Sequence, residues 1–276
     1  MKIRVIASII IIAIALPVVL FSQYITYPIV LGFLAASAVF ELLKVIGAHK
    51  CYALSVPAYL IACGMPIASW FINEDNRILY FLIVFVILFA YLLYIMGAAV
   101  FSHGKITVSK IGLIFLSTTY ITASFTSLSA IRYLNNGMLC LMLVFFISWG
   151  CDASAYLFGP FIGKHKLIPD VSPKKSVEGA IGGIFGAIVL SVGFGLFADF
   201  VMGANVNYLY VGLFAAVLSV VSQIGDLIAS LIKREYGVKD YSNLIPGHGG
   251  IMDRFDSVLV VAMPLLVLCL AFPPFT

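Results

Sequence analysis

Charge is the scarcest commodity in this sequence. Asp, Glu, Lys and Arg make up 10% of its 276 residues, against 63% hydrophobic residues and a mean hydropathy of +1.13. Soluble domains carry about 25% charged residues, so this chain cannot cover a globular surface and calls for a bilayer as its solvent. Paired cysteine spacing is also missing. Cys51, Cys63, Cys140, Cys151 and Cys269 include no CxxC and mostly lie in apolar runs, so they read as small buried hydrophobes rather than zinc ligands or disulfide partners. No GxxxxGK[ST] segment occurs, which excludes a P-loop enzyme. Fixed-period repeats, low-complexity tracts and a separate soluble domain are absent too. A net charge of +4 is modest and matters through its position; no nucleic acid is expected as a partner.

Long apolar runs fill the chain instead. A bilayer core of about 30 Å needs about 20 apolar residues in helix. Runs of that kind lie at roughly 3–22, 26–47, 52–72, 78–100, 108–129, 137–158, 180–202, 207–232 and 256–273, which makes nine expected helices. The first follows a Lys and an Arg as a signal peptide would, but no A-x-A cleavage site follows, so it is taken as a span. The fifth contains TTYITASFTSLS and is unusually rich in hydroxyls. With a cytoplasmic N-terminus, fourteen of the sixteen Lys and Arg residues fall on the inner side, and only Arg77 and Arg132 fall outside. The expectation is an all-α, polytopic integral membrane protein with its C-terminus outside. Residues 1–135 would form a scaffold of about five helices, and 136–276 a catalytic region of about four. Function should sit in the two polar loops on the inner face, 159–179 and 233–256.

Polar residues also occur where a bilayer disfavours them. In VGLFAAVLSVVSQIGDLIASLIKR, Ser219, Ser222, Asp226, Ser230 and Lys233 recur every three or four residues and form one stripe on a helix. A carboxylate at that depth costs about 2.5–3.5 kcal/mol on insertion scales, so it faces protein or a watery cavity. Asp226 is either a site residue or a structural Asp bonded to serines or a lysine. Ser148, Asp152 and Tyr156 repeat the pattern one helix pair earlier; Asp152 either ligates a metal or holds a neighbouring lysine. In VSPKKSVEGAIGG, Ser172 is expected to cap a helix with Pro173 at its first position. Lys174 and Lys175 in the first turn would then make a phosphate site with the helix N-terminus, unless they are lysines snorkelling to lipid headgroups. Gly179, Gly182, Gly183 and Gly186 read as close helix packing.

The stretch NLIPGHGGIMDRFDS, Asn243–Ser257, packs the remaining chemistry into one turn. PGHGG gives a backbone able to approach a ligand closely. Asp253 and Asp256 share a face as the last helix starts; capping accounts for one of them but not for the neighbouring His248 and Arg254. Mg2+ takes carboxylate oxygens together with substrate phosphates, and Asp226 with Asp253 is the natural pair to hold it, Asp152 and Asp256 being further candidates.

The order of these residues is familiar. SLIKREYGVKDYSNLIPGHGGIMDRFD, Ser230–Asp256, resembles the signature of the CDP-diglyceride synthase family, the phosphatidate cytidylyltransferases. Ser230, Lys233, Arg234, Lys239, Asp240, Ser242, Pro246, His248, Gly249, Gly250, Asp253, Arg254 and Asp256 all fit it. IGDLIAS, SPKKSVEG and WGCDASAYLFG support it upstream, so the likeness covers roughly residues 145–257. It implies the reaction CTP + phosphatidic acid → CDP-diacylglycerol + pyrophosphate. It further implies dependence on Mg2+ with room for a second cation such as K+, a homodimer, and a site in the cell (inner) membrane facing the cytoplasm. Under it, Lys174, Lys175, Lys233 and Arg234 would neutralise the triphosphate and lipid phosphate, helped by Lys239 and Arg254. Gly249 and Gly250 would lie against the nucleotide, His248 would donate a hydrogen bond or a proton, and Ser172, Ser222 and Ser230 would line the substrate cleft. A CTP-dependent lipid kinase and a transporter remain as alternatives, although a transporter would place charges on both faces and show inverted repeats.

Overall fold

A computed structural model describes residues 17–73, 75–102, 106–244 and 249–276. Among these residues eight helices are long and apolar enough to cross a membrane. In chain order they are α1 (Thr26–Val45), α2 (Tyr52–Ala68, continued by a 3-10 turn to Phe71), α3 (Arg77–Phe101) and α4 (Val108–Arg132), then α5 (Gly137–Ile162), α6 (Val177–Met202), α7 (Tyr208–Glu235) and α8 (Met252–Ala271). Each matches an expected apolar run to within a few residues. The expected first span, 3–22, lies outside the described residues except at its end, where residues 17–20 are helical. The protein is thus a polytopic, essentially all-α integral membrane protein.

Two compact units divide the chain. One comprises residues 1–130 together with Asp240–Met252; the other comprises Ile131–Lys239 and Asp253–Thr276. In the first, α1 is joined to α4 by Tyr27, whose hydroxyl donates to the Leu128 carbonyl at 3.3 Å. Several hydroxyls of the hydroxyl-rich α4 bond within the protein, although Thr119, Thr122 and Thr126 are buried with no hydrogen bond. Thr118 Oγ1 donates to the Ile114 carbonyl at 2.7 Å, Ser127 Oγ to Ala123 at 2.8 Å, and Ser69 Oγ to Ser129 Oγ at 2.7 Å. By contrast α3, with a mean hydropathy of 2.9, buries only 11% of its apolar window and so suits a lipid-facing position.

In the second unit α5 packs closely on α6, and small residues make this possible. A methyl group at Gly179 would come within 2.9 Å of the Gly159 Cα, and one at Gly183 within 3.0 Å of the Cys151 carbonyl oxygen. These glycines serve helix contact, as their spacing indicates. The loop between α5 and α6 departs from expectation. Strand β1 (Lys166–Ile168) pairs antiparallel with β2 (Ser172–Ser176) in a bulged hairpin, and α6 starts only at Val177. Ser172 is therefore not the helix cap. Ser176 is, with φ −119°, ψ 156° and an Oγ that accepts from Gly179 N at 3.1 Å. SPKKS offers a serine at each end, and pairing with β1 selects the later one. Lys174 and Lys175 accordingly belong to a strand, not to a helical first turn, and the expected helix N-terminal phosphate site is withdrawn.

Candidate active site

The second unit contains a cavity of about 530 Å³. Helix α5 contributes Asp152, Tyr156 and Gly159, the hairpin contributes Lys166, Lys174 and Lys175, and α7 contributes Gln223 and Asp226. The lysines come from both strands, so one pleated loop puts three lysines around one space. The carboxylates come from helices that must carry them inside the membrane. Lys175 Nζ and Asp226 form an ion pair, both about three-quarters shielded from solvent. The two groups lie 51 residues apart in sequence and meet at the cavity wall.

Asp226 belongs to the expected stripe on α7. Along it Ser219, Ser222 and Lys233 are buried, and Ser230 and Asp226 are half-buried. Ser219 Oγ bonds its own helix at the Ala216 carbonyl, 2.9 Å away. Ser222 Oγ is buried and makes no hydrogen bond. Gln223, which was not expected at the site, donates from Nε2 to the Ala180 carbonyl at 3.1 Å and so ties α7 to α6 at the cavity wall.

A second ion pair lies at the cytoplasm-expected end of the same stripe. Lys233 Nζ contacts Asp253 Oδ1 at 2.7 Å, with Asp253 only 4% exposed in its side chain. One turn further on α8, Asp256 is buried and accepts from Ser257 N at 2.8 Å. Asp152, Asp226 and Asp256 lie near enough for their charges to repel one another, with Lys175 and Lys233 acting against that repulsion. Buried like charges are costly unless a cation balances them. Among the described residues no group of three or more His, Cys, Asp or Glu has the arrangement of a metal site. The donors nonetheless suit a hard cation that uses one or two carboxylates and takes its other ligands from phosphate and water.

Other expected site residues are placed differently. Arg234, Lys239 and Arg254 are exposed, Lys174 is exposed at the cavity, and Ser172 is half-buried on β2. His248 lies outside the described residues, as do Ile245, Pro246 and Gly247. Gly249 is buried with φ +82°, a left-handed conformation that glycine takes without strain. In the first unit, a methyl group at the neighbouring Gly250 would run into the carboxylate of Glu41 on α1. Glu41 and Lys166 escaped the sequence reading. The signal for Glu41 was present: it is the only acidic residue in an otherwise apolar span, the same feature that singled out Asp226.

Comparison with known proteins identifies the family. The model of the cytidylyltransferase family matches residues 2–272. A phosphatidate cytidylyltransferase of Bacillus subtilis (strain 168) is 42% identical over 185 residues, which are 67% of this chain and 66% of that protein. The phosphatidate cytidylyltransferase of Staphylococcus haemolyticus (strain JCSC1435) is 33% identical over 273 residues, 96% of this chain and 97% of that protein. That of Staphylococcus aureus (strain COL) is 33% identical over 266 residues, with the same coverage.

Proposed function

Because the chain belongs to the cytidylyltransferase family, and is thus a membrane-embedded nucleotidyltransferase, we propose that its substrates are CTP and phosphatidic acid. A phosphate monoester oxygen of the lipid attacks the α-phosphorus of CTP. The bond from that phosphorus to the β-phosphate bridging oxygen breaks, and pyrophosphate leaves with the electron pair. The lipid supplies its own nucleophile, so no Ser or Cys need act as one. What the protein must do is bring two polyanions together and hold the charge of the leaving group.

The observation that carries this reading is the cavity with Lys166, Lys174 and Lys175 around it and the Lys175–Asp226 pair in its wall. Three ammonium groups match phosphate oxygens. Lys175 is poised between two partners: it holds the Asp226 charge when no phosphate is near, and a phosphate drawn to it leaves the carboxylate available. Lys233 stands in the same relation to Asp253. Mg2+, when held by Asp226 and Asp253, supplies charge neutralisation at the transferring phosphates. Tyr156, which lines the cavity, borders the space in which the lipid head is presented. The Lys and Arg distribution supports a cytoplasmic face for this site, where CTP is available. Homodimer formation belongs to the same reading through the family resemblance.

Incubation of the purified chain with CTP, Mg2+ and phosphatidic acid should yield CDP-diacylglycerol and pyrophosphate in equal amounts. Release of CDP with a phosphorylated lipid, or no product at all, overturns the reading.

A further inference from the structure

Glu41 is 2% exposed near the C-terminal end of α1, in an otherwise largely apolar span. A buried carboxylate is costly unless its oxygens are satisfied by hydrogen bonds or a counter-charge. Here the hydrogen bonds come from one distant segment. Oε1 accepts from Ser242 Oγ at 2.6 Å and from Ile251 N at 3.0 Å, and Oε2 accepts from Met252 N at 2.8 Å. Ile251 and Met252 stand at the start of α8, where backbone N–H groups have no partner within the helix and the helix dipole favours an anion. A residue 211 positions away in sequence thus caps the helix.

The same carboxylate ties down both ends of the glycine-rich turn. Ser242, which also accepts from Leu244 N at 3.2 Å, anchors its beginning, and Ile251 and Met252 anchor its end. Gly250 passes so close to the carboxylate that any side chain there would displace it. The residue that follows Met252 on α8 is Asp253.

The geometry points to Glu41 as a positioning residue: its carboxylate holds Ser242 together with Ile251 and Met252, fixes where α8 begins, and so preorganises the nucleotide-binding side of the enzyme. The inference rests on the cytidylyltransferase reading for its kinetic consequence, but the staple itself is independent of it. Glu41 touches no substrate in this role and acts through the backbone it holds.

Glu41→Gln keeps the size of the side chain but turns one acceptor into a donor, so the bond from Ile251 N or from Met252 N is lost and the end of the turn is held less firmly. Loss of a hydrogen bond to a buried charge corresponds to about tenfold or more. In the full chain, the KM for CTP should rise about tenfold while the KM for phosphatidic acid stays within about twofold, with a modestly lowered thermal midpoint from the lost buried hydrogen bond. Ser242→Ala should raise the KM for CTP by less, and the double variant should fall short of the product of the two effects because the residues act as one unit. Hydrogen–deuterium exchange across 242–252 should quicken about tenfold in Glu41→Gln. A wild-type KM for CTP in Glu41→Gln, or equal changes in both KM values together with lost stability, overturns the positioning role. Should Glu41→Gln fail to fold, Ser242→Ala decides: an unchanged KM for CTP in it overturns the proposal. Inactive wild-type protein would sink the cytidylyltransferase reading alone, since the exchange measurement still judges the staple, and unchanged exchange would sink that.

Discussion

Asp253 and Asp226 illustrate how much a single side chain depends on its partner. Each is a carboxylate within a membrane-spanning helix, and each is held by a lysine, Lys233 at 2.7 Å for Asp253 and Lys175 for Asp226. Removing the charge of Asp253 should weaken its ion pair with Lys233 without unmaking a helix. Asp253→Asn is therefore expected to insert and purify normally and to lose at least about a hundredfold in Mg2+-dependent kcat, the scale on which one electrostatic contributor to a transition state acts. Full activity in that variant would remove Asp253 from the metal assignment. Lys175 makes a different prediction. If it exchanges Asp226 for substrate phosphate, Lys175→Ala should raise the KM for CTP or for lipid about tenfold, as expected for a lost charge-assisted contact. Unchanged kinetics would reduce it to a structural partner of Asp226.

At the scale of the element, the hairpin between α5 and α6 decides where the lysines go. SPKKSVEG was legible as a helix start, but the start lies four residues later than the first serine suggests. The cause is non-local: Lys166–Ile168 offers a pairing edge, and Val177 N donates to the His165 carbonyl at 3.0 Å to close the ladder. Glu178 adds a clasp by accepting from Lys164 N at 3.0 Å and contacting His165 Nδ1 at 2.6 Å. Loss of the true cap in Ser176→Ala should cost about 1 kcal/mol and lower Tm. Ser172→Ala should leave Tm nearly unchanged, and a reversed order would restore the earlier cap assignment. Helix contact is testable on the same element. Gly183→Val must fit two methyl groups against the Cys151 carbonyl, so a loss of about 1–3 kcal/mol is expected from overpacking, read as a lower thermal midpoint in detergent.

For the whole molecule, the eight described spans and the charge count combine into one expectation about sidedness. Single cysteines introduced into 159–179 and 233–244 should react with a membrane-impermeant maleimide only when the inner face is open to it. A cysteine introduced near residue 205 should react from outside. The opposite pattern would invert the topology and remove the site from its CTP supply.

Span positions, the polar stripe on α7 and the 230–256 signature were all readable in the sequence, because hydrophobicity, helical periodicity and motif spacing are local properties of the chain. Which groups meet was not. Lys175 finds Asp226 across 51 residues and Glu41 finds Met252 across 211. Such partners are selected by the packing of helices whose order in space no local pattern records. Lys166 likewise reached the cavity only through strand pairing. Sequence alone determined that this is a membrane protein with a cytidylyltransferase signature. Tertiary structure decided which lysine neutralises which carboxylate, and that Ser242, Ile251 and Met252 converge on one carboxylate, that of Glu41. A buried charge persists only where its counter-groups converge, and convergence belongs to the fold.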